Sequence, residues 1–316
     1  MCSRIREIGE NIKNCPFFRG DVDFDVSLKE YTTMKVGGKC GLFISPCDIE
    51  SLEYTVKYLE NNKVSFFILG GGSNLVISDE GIKSAVISTH RLNSISLSEK
   101  DGINLECGSG VTIKDLIDFC IRNDIGGLEN FAGLPGTAGG ASFMNARCYE
   151  KNFSDYIKSI KYIDLESAGR EVKEYHKDNA DWAYKKSPFM SHRCFIISVT
   201  LTSLSRLKTD CERVNFIKRC DFYIEDRRQK GHFKCPSAGS VFKNNRSFGS
   251  PSGKLIDETG LKGFSIGGAQ IAPWHGNFII NTGNASAKDI KDLVELVQKK
   301  VYEKTGFLLE PEIIFV

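Results

Sequence analysis

Apolar side chains recur along this chain in two periods, one near 3.6 residues and one near 2, and the alternation between them predicts mixed helices and strands. From Asp48, DIESLEYTVKYLENN sets Ile49, Leu52, Val56 and Leu59 on one helical face behind an aspartate placed to cap the first turn. The run VSFFIL follows as a buried strand and leads straight into GGGSN. A second such unit comes next: the strand INLEC, the turn GSG, and a helix opened by Thr112 with Asp115 three residues on. Between Tyr156 and Leu204 the segments YIKSIKYIDL, REVKEYH and RCFIISVTLTSL are rich in β-branched and aromatic residues between polar breaks, which predicts strands. A charged helical pattern runs from Arg206 to Arg228, and SGKLIDETG reads as a short helix stopped by Gly260. FSIGGAQIA and NFIIN read as strands. SAKDIKDLVELVQKKVYEKTG is the best helix in the chain, with Ser286 as cap, Asp289 three on, a stripe of Ile290, Leu293, Val294, Val297 and Val301, and Gly306 at its end. The tail FLLEPEIIFV reads as a strand.

A chain of 316 residues favours more than one domain. The changes of pattern divide it into residues 1–85, 86–205, 206–306 and a terminal strand 307–316. Forty-two basic residues are interspersed with forty acidic ones for a net charge of +2, so no electrostatic footprint for nucleic acid is present. The opening MCSRIREIGENIK has no apolar leader region, and no stretch approaches the roughly 18 apolar residues of a spanning helix, so a soluble cytoplasmic protein with no membrane partner is expected. Eleven cysteines are scattered without a C-x-x-C pair, which predicts reduced thiols and no metal site; Cys148 and Cys235 stand out only because they flank motifs.

Three glycine clusters border strands: Gly70 to Asn74, Gly108 to Gly110, and GLPGTAGGA from Gly133 to Ala141. Each is readable as a tight turn, or as a nest of backbone N–H groups for an anion. None is a phosphate signature by itself, since G-K-[ST] and G-x-G-x-x-G are both missing from them. In AGSVFKN, Ser240 follows Gly239 but lacks the G-x-S-x-G elbow of a nucleophile, and no motif directs a histidine to it. A hydroxyl of that kind can still donate a proton.

The segments YTTMKVGGKC, ILGGGSNLVISDEG, GLPGTAGGASFMNA, PSAGSVFKN, GLKGFSIGGAQIAPWHGNFIINTGNASAKDI and LEPEI, in this order, resemble those of the UDP-N-acetylenolpyruvoylglucosamine reductase family over nearly the whole chain. The resemblance implies an α+β architecture: an FAD-binding fold of the vanillyl-alcohol-oxidase type, made of two α+β subdomains, with a separate α+β substrate-binding domain. It implies non-covalent FAD, NADPH as hydride donor, a UDP-linked small-molecule substrate reduced at its enolpyruvyl group in peptidoglycan precursor synthesis, and no obligate protein partner. Another flavin-dependent oxidoreductase of the same superfamily is the alternative.

Residue by residue, the resemblance assigns the FAD diphosphate to Gly71, Gly72, Ser73, Asn74, Gly136, Thr137 and Gly140. It makes Ser240 the proton donor to C2 and Glu312 the catalytic glutamate, with Glu310 as the less favoured carboxylate. Tyr184, Arg228, Lys230, Lys243, Asn244 and His275 fall at substrate-binding positions, although QKGHFKC around Lys230 departs from the family's wording. A second departure is Lys185, in YKKSPF, where the family carries an arginine that stabilises developing negative charge. Arg147 and Cys148 stand where small residues are usual, and Asn245 where proline is common.

Overall fold

The computed structural model describes residues 2–167 and 169–316, with the side chain of Cys2 outside the described part. The chain divides into two compact units. The first comprises Met1–Phe24, Gly41–Gly71 and Ser84–Glu225, and the second Asp25–Cys40, Gly72–Lys83 and Asp226–Val316.

The first unit has two apolar cores. In one, α1 (Cys2–Lys13) and α2 (Ile49–Asn61) cover a four-stranded sheet of order Gly20–Ser27, Lys39–Pro46, Ile82–Ser88, Phe66–Leu69. Ile8 and Ile12 of α1 meet Leu52, Val56 and Leu59 of α2 over Leu42, Ile44, Ala85 and Ile87 of the sheet. Asp48 caps α2, its side chain accepting from Ser51 N at 2.8 Å. Phe66–Leu69 pairs in parallel with Ile82–Ser88 at the sheet edge, so it is only half buried apart from Leu69 and is not the fully buried strand its apolar run predicts. An edge strand loses water on fewer sides than a central one, and hydropathy alone does not separate the two.

The other core lies on a five-stranded antiparallel sheet of order Val172–His176, Ile157–Asp164, Cys194–Leu201, Asn104–Gly108, Ile95–Ser98. On it pack α3 (Ile113–Arg122), capped by Thr112, and the short α4 (Ala138–Phe143), capped by Thr137. Helix α5 (Asp210–Gln229) starts four residues later than its charge pattern suggests, because Ser205–Arg206 is spent on a two-residue pairing with Ile125–Gly126.

The second unit is built on an antiparallel sheet of order Ser237–Ser240, Phe278–Asn281, Ala269–Ile271, Ser265–Ile266. Against it lie α6 (Ser252–Glu258) and α7 (Ala287–Thr305), whose buried face is Ile290, Leu293, Val294, Val297 and Val301, as the sequence stripe predicts. Ser286 and Asp289 form the capping box at its start, and Gly306 closes its end. The tail is not one strand. Only Ile314–Phe315 forms a ladder, parallel to Leu75–Val76, while Pro311 makes an isolated antiparallel bridge with Phe242. Proline carries no N–H, which interrupts a continuous ladder at that point.

Candidate active site

In the first unit the three glycine segments meet backbone to backbone. A Cβ on Gly71 would lie 2.6 Å from Gly136 Cα, so the close approach of these two loops demands glycine. Ile113 N donates to Gly136 O at 3.0 Å, Ala138 N to Val111 O at 2.8 Å, and Gly139 N to Ser109 O at 3.0 Å. Thr137 accepts from Gly140 N at 3.3 Å and so is occupied in capping α4. Two observations fit a ligand rich in acceptors. Among the described residues the N–H groups of Gly71, Gly136 and Thr137 have no acceptor. The hydroxyls of Ser109 and Thr89 are buried without a partner, although a Cβ on the intervening Gly110 would strike Thr89 O and one on Gly139 would lie 2.6 Å from Ser109 Cβ. A flavin dinucleotide's diphosphate and ribityl oxygens are the kind of group such donors take.

The rest of the first loop falls in the second unit. Thr33 donates through N to Gly72 O at 3.2 Å and through its hydroxyl to Ser73 O at 3.4 Å, a role for the second threonine of YTTMKVGG that no local pattern announces. Asn74 Nδ2 donates to Glu312 O at 2.9 Å, and Ile314 N donates to Asn74 O at 2.9 Å. The asparagine therefore ties its loop to the segment bearing Glu312.

Lys185 and Tyr184 occupy the tip of a tight turn closed by Ala183 N to Lys186 O at 3.2 Å and Lys186 N to Ala183 O at 3.1 Å. Lys185 is left-handed there, with φ 54°. Several side chains hold this turn: Asn145 Nδ2 donates to Ala183 O at 2.8 Å, Ser187 Oγ donates to Phe143 O at 2.6 Å, and buried Phe189 packs edge-on against Tyr162 and Tyr175. Tyr184 is 44% exposed, with the Arg147 guanidinium 5.9 Å from its ring centre. Arg147 itself pairs with Glu150 at 2.7 Å, at the turn of a small hairpin, and Cys148 beside it is buried in the core.

In the second unit Ser240 ends its strand behind Gly239, whose φ is 75°. The register slips between Ser237 and Ser240, and a left-handed glycine in such a bulge turns the following side chain. Ser240 is half-buried, and its hydroxyl makes no hydrogen bond among the described residues. Beyond it, Glu312 N donates to Val241 O at 2.7 Å and Lys243 N to Glu310 O at 2.9 Å, so the segments carrying Ser240 and Glu312 run side by side. Lys243 Nζ lies 2.5 Å from Glu310 Oε1, which gives the other carboxylate of LEPEI a partner. Asn244 Oδ1 accepts from Ser252 N at 2.9 Å, at the start of α6.

At the end of α5, Arg228 is exposed and Lys230 pairs with Asp226 at 2.6 Å, whereas Arg227, to which no motif assigns a role, is only 6% exposed. Counting in helical steps from buried Phe216 and Cys220 through Ile224 reaches Arg227, so the phase of the helix held the signal.

His275 and His232 both pack on Phe278, the cross-strand partner of Ser240, with centroids 4.3 and 4.7 Å from it. Burial pushes His232 down to about 4, helped by the cations of Arg227 and Lys230 and by His275; burial also lowers His275. The unfolded chain therefore takes up these protons first as pH falls. Stability present above the ordinary histidine value of about 6.5 is lost between there and about pH 4. His232→Phe should flatten that fall, by roughly 2 °C or more in melting temperature between pH 7 and 4. Parallel curves for the two proteins would show that His232 does not titrate in that window.

Asp164, Glu166 and His192 bring ligand atoms within 4.8 Å of one another. Asp164 already binds Lys173 at 2.6 Å and two backbone N–H groups, and it is held at about 2 chiefly by that lysine, whose ammonium fills the role a cation would have. The ten cysteines with described side chains are all free thiols.

Comparison with known proteins shows the family and the fold. The FAD binding domain family matches residues 41–173, and the C-terminal domain of UDP-N-acetylenolpyruvoylglucosamine reductase matches residues 229–316. The UDP-N-acetylenolpyruvoylglucosamine reductase of Treponema denticola is 45% identical, over 96% of this chain and 96% of its own. That of Borreliella burgdorferi is 42% identical, over 92% and 93%. The crystal structure of the reductase from Thermus caldophilus superposes with a TM-score of 0.73 at 31% identity, covering 95% of this chain and 99% of that one. The α+β architecture with its FAD-binding fold is thus shared along the length of the chain, and the chain belongs to the UDP-N-acetylenolpyruvoylglucosamine reductase family.

Proposed function

We propose that this protein reduces UDP-N-acetylglucosamine enolpyruvate to UDP-N-acetylmuramate with NADPH as reductant and FAD as cofactor, the step that completes the muramic acid of peptidoglycan precursors. The observation that carries this reading is Ser240: a half-buried hydroxyl without a hydrogen-bond partner among the described residues, turned by a left-handed glycine, on a segment bonded to that of Glu312. FAD held by the glycine loops would supply the hydride chemistry between NADPH and C3 of the enolpyruvyl double bond. The chain has to do the rest. Negative charge then develops at C2 and spreads into the substrate carboxylate; the Ser240 hydroxyl supplies the proton at C2, and solvent restores it. Glu312 is the second catalytic group, and Lys185 offsets the carboxylate charge in place of the family's arginine. Lys243, Asn244, His275, Tyr184, Arg228 and Lys230 are assigned to the nucleotide-sugar, with Lys243 and Arg228 as its anion partners.

The diphosphate of FAD is assigned to Gly71, Gly136, Thr137 and the adjoining Gly72 to Asn74 loop, with Gly140 beside Thr137. Neither GGGSN nor GLPGTAGG contains a histidine or cysteine for a covalent flavin bond. Acid precipitation of the yellow protein should therefore release the colour completely into the supernatant; colour held in the pellet would contradict a non-covalent site. The same sample, bleached by NADPH under anaerobic conditions, should regain its colour on adding UDP-N-acetylglucosamine enolpyruvate and not on adding UDP-N-acetylglucosamine. Bleaching without that recovery would favour a flavin oxidoreductase of another substrate class. No described helix is long and apolar enough to cross a membrane, and the free thiols fit a reducing compartment, which supports assignment to the cytoplasm.

A further inference from the structure

We infer that Asn277 is a positioning residue for the proton-transfer step, holding through one side-chain amide the strand segment that links Ser240 to Glu312. This rests on the reading of Ser240 and Glu312 given above. After Ser240 pairs with Phe278 the regular ladder stops: the chain bends at Val241, and Phe242 makes only an isolated bridge. Asn277 takes the place of the missing strand. Its Oδ1 accepts from Phe242 N at 2.9 Å, its Nδ2 donates to Phe242 O at 2.8 Å, and its own carbonyl accepts from Val241 N at 2.9 Å. On the other flank Val241 O accepts from Glu312 N, Lys243 N donates to Glu310 O, and Phe242 bridges Pro311. Residues 241–243 are thus clamped between Asn277 and the segment bearing Glu312.

The residue type follows from the geometry. Phe242 is 1% exposed and Asn277 is 4% exposed, so neither N–H nor C=O of Phe242 has water as a substitute partner. A carboxamide offers one donor and one acceptor side by side; a carboxylate offers acceptors only, and glutamine sets the same pair one methylene farther out. Asn277 is itself held, its N–H donating to His275 Nδ1 at 3.2 Å and its Cβ standing 3.4 Å from where a Cβ on Gly253 would be. Loss of the clamp lets Ser240 and Glu312 shift against each other while the glycine loops of the first unit keep their own contacts. Misplacement by about 1 Å in such a site costs on the order of 10² in rate.

The test is rapid mixing of the flavin-loaded full-length protein, with the two half-reactions measured separately for wild type, Asn277→Asp, Asn277→Gln and Ser240→Ala. Asn277→Asp should reduce its flavin with NADPH within about 2-fold of wild type and be reoxidised by UDP-N-acetylglucosamine enolpyruvate on the order of 10²-fold more slowly. The deficit relative to wild type should narrow as pH falls, because protonating the buried carboxyl restores the donor to Phe242 O. Asn277→Gln should show the same selective loss without the pH recovery, and it serves where the aspartate variant does not fold. In a Ser240→Ala background either change should cost far less than it does alone, since residues acting as a unit are not additive. Equal loss in both half-reactions, an unchanged reoxidation rate, or full additivity with Ser240→Ala would overturn the inference. If Ser240→Ala itself leaves reoxidation unchanged, it is the functional reading that fails; if Ser240→Ala slows reoxidation and the Asn277 variants do not, the reading stands and the positioning role falls.

Discussion

Replacing Ser240 with alanine is expected to leave reduction of the flavin by NADPH intact and to slow its reoxidation by UDP-N-acetylglucosamine enolpyruvate by a factor of about 10² to 10⁴, the range for a lost general acid. The division between the half-reactions follows from the role proposed for the hydroxyl, which would act only after hydride has reached the enolpyruvyl carbon. The structure adds a second expectation. Ser240 is half-buried and its hydroxyl bonds to no described group, so its removal strands no partner, and stability should change by no more than about 0.5 kcal/mol. A slow second half-reaction in a protein that melts like wild type is the signature of a proton donor. Equal slowing of both halves would make Ser240 a binding or folding residue.

Lys185→Met should also act on the second half-reaction, raising its barrier by several kcal/mol, the size of one lost electrostatic stabiliser. Lysine and arginine differ in shape more than in charge, so Lys185→Arg should retain turnover with altered substrate affinity. The turn geometry supplies a further, opposite expectation for Lys185→Gly. With φ 54° at this position, a side chain costs about 1 kcal/mol that glycine does not pay, so the glycine variant should be as stable as wild type or more so while turning over as poorly as Lys185→Met. A stabilised but inactive variant would show that the ammonium is kept there for chemistry and at some expense to the fold. An unchanged reoxidation rate in Lys185→Met would remove Lys185 from the mechanism and leave Ser240 and Glu312 as its candidates.

Helix ends were the most legible features of the sequence. Asp48, Thr112 and Ser286 each cap the helix they announce, because a cap acts on N–H groups within three residues of itself and needs no tertiary information. The stripe of α7 likewise reads directly from its spacing. The tail was less legible: its β-rich composition suggested one strand, and Pro311 together with partners at Phe242 and Leu75 broke it into a bridge and a two-residue ladder. No local pattern ties residues 310–312 to 241–243. The site shows the same division. Motifs exposed Ser240 and the glycine loops, but Asn277 and Thr33 act by bonding backbone groups far off in sequence, and such bonds leave no periodicity. Arg227 was hidden differently, by an adjacent arginine whose choice depends on helix phase.

The second unit draws its strands and core from Asp25–Cys40, Gly72–Lys83 and everything from Asp226 onward, with Val316 O accepting from Ser78 N at 2.7 Å. On a ribosome this has a definite cost in time. Residues through Glu225 that build the first unit emerge as one run, apart from two early excursions, and are free to collapse while translation continues. The two excursions have to wait, because Met34, Val36 and Val76 belong to an apolar core whose other buried members, among them Ile271, Leu293 and Ile313, come from Ala238 onward. Because Glu312 N donates to Val241 O, a nascent chain cannot align the segment proposed to carry the glutamate with that of Ser240 until residue 312 has emerged.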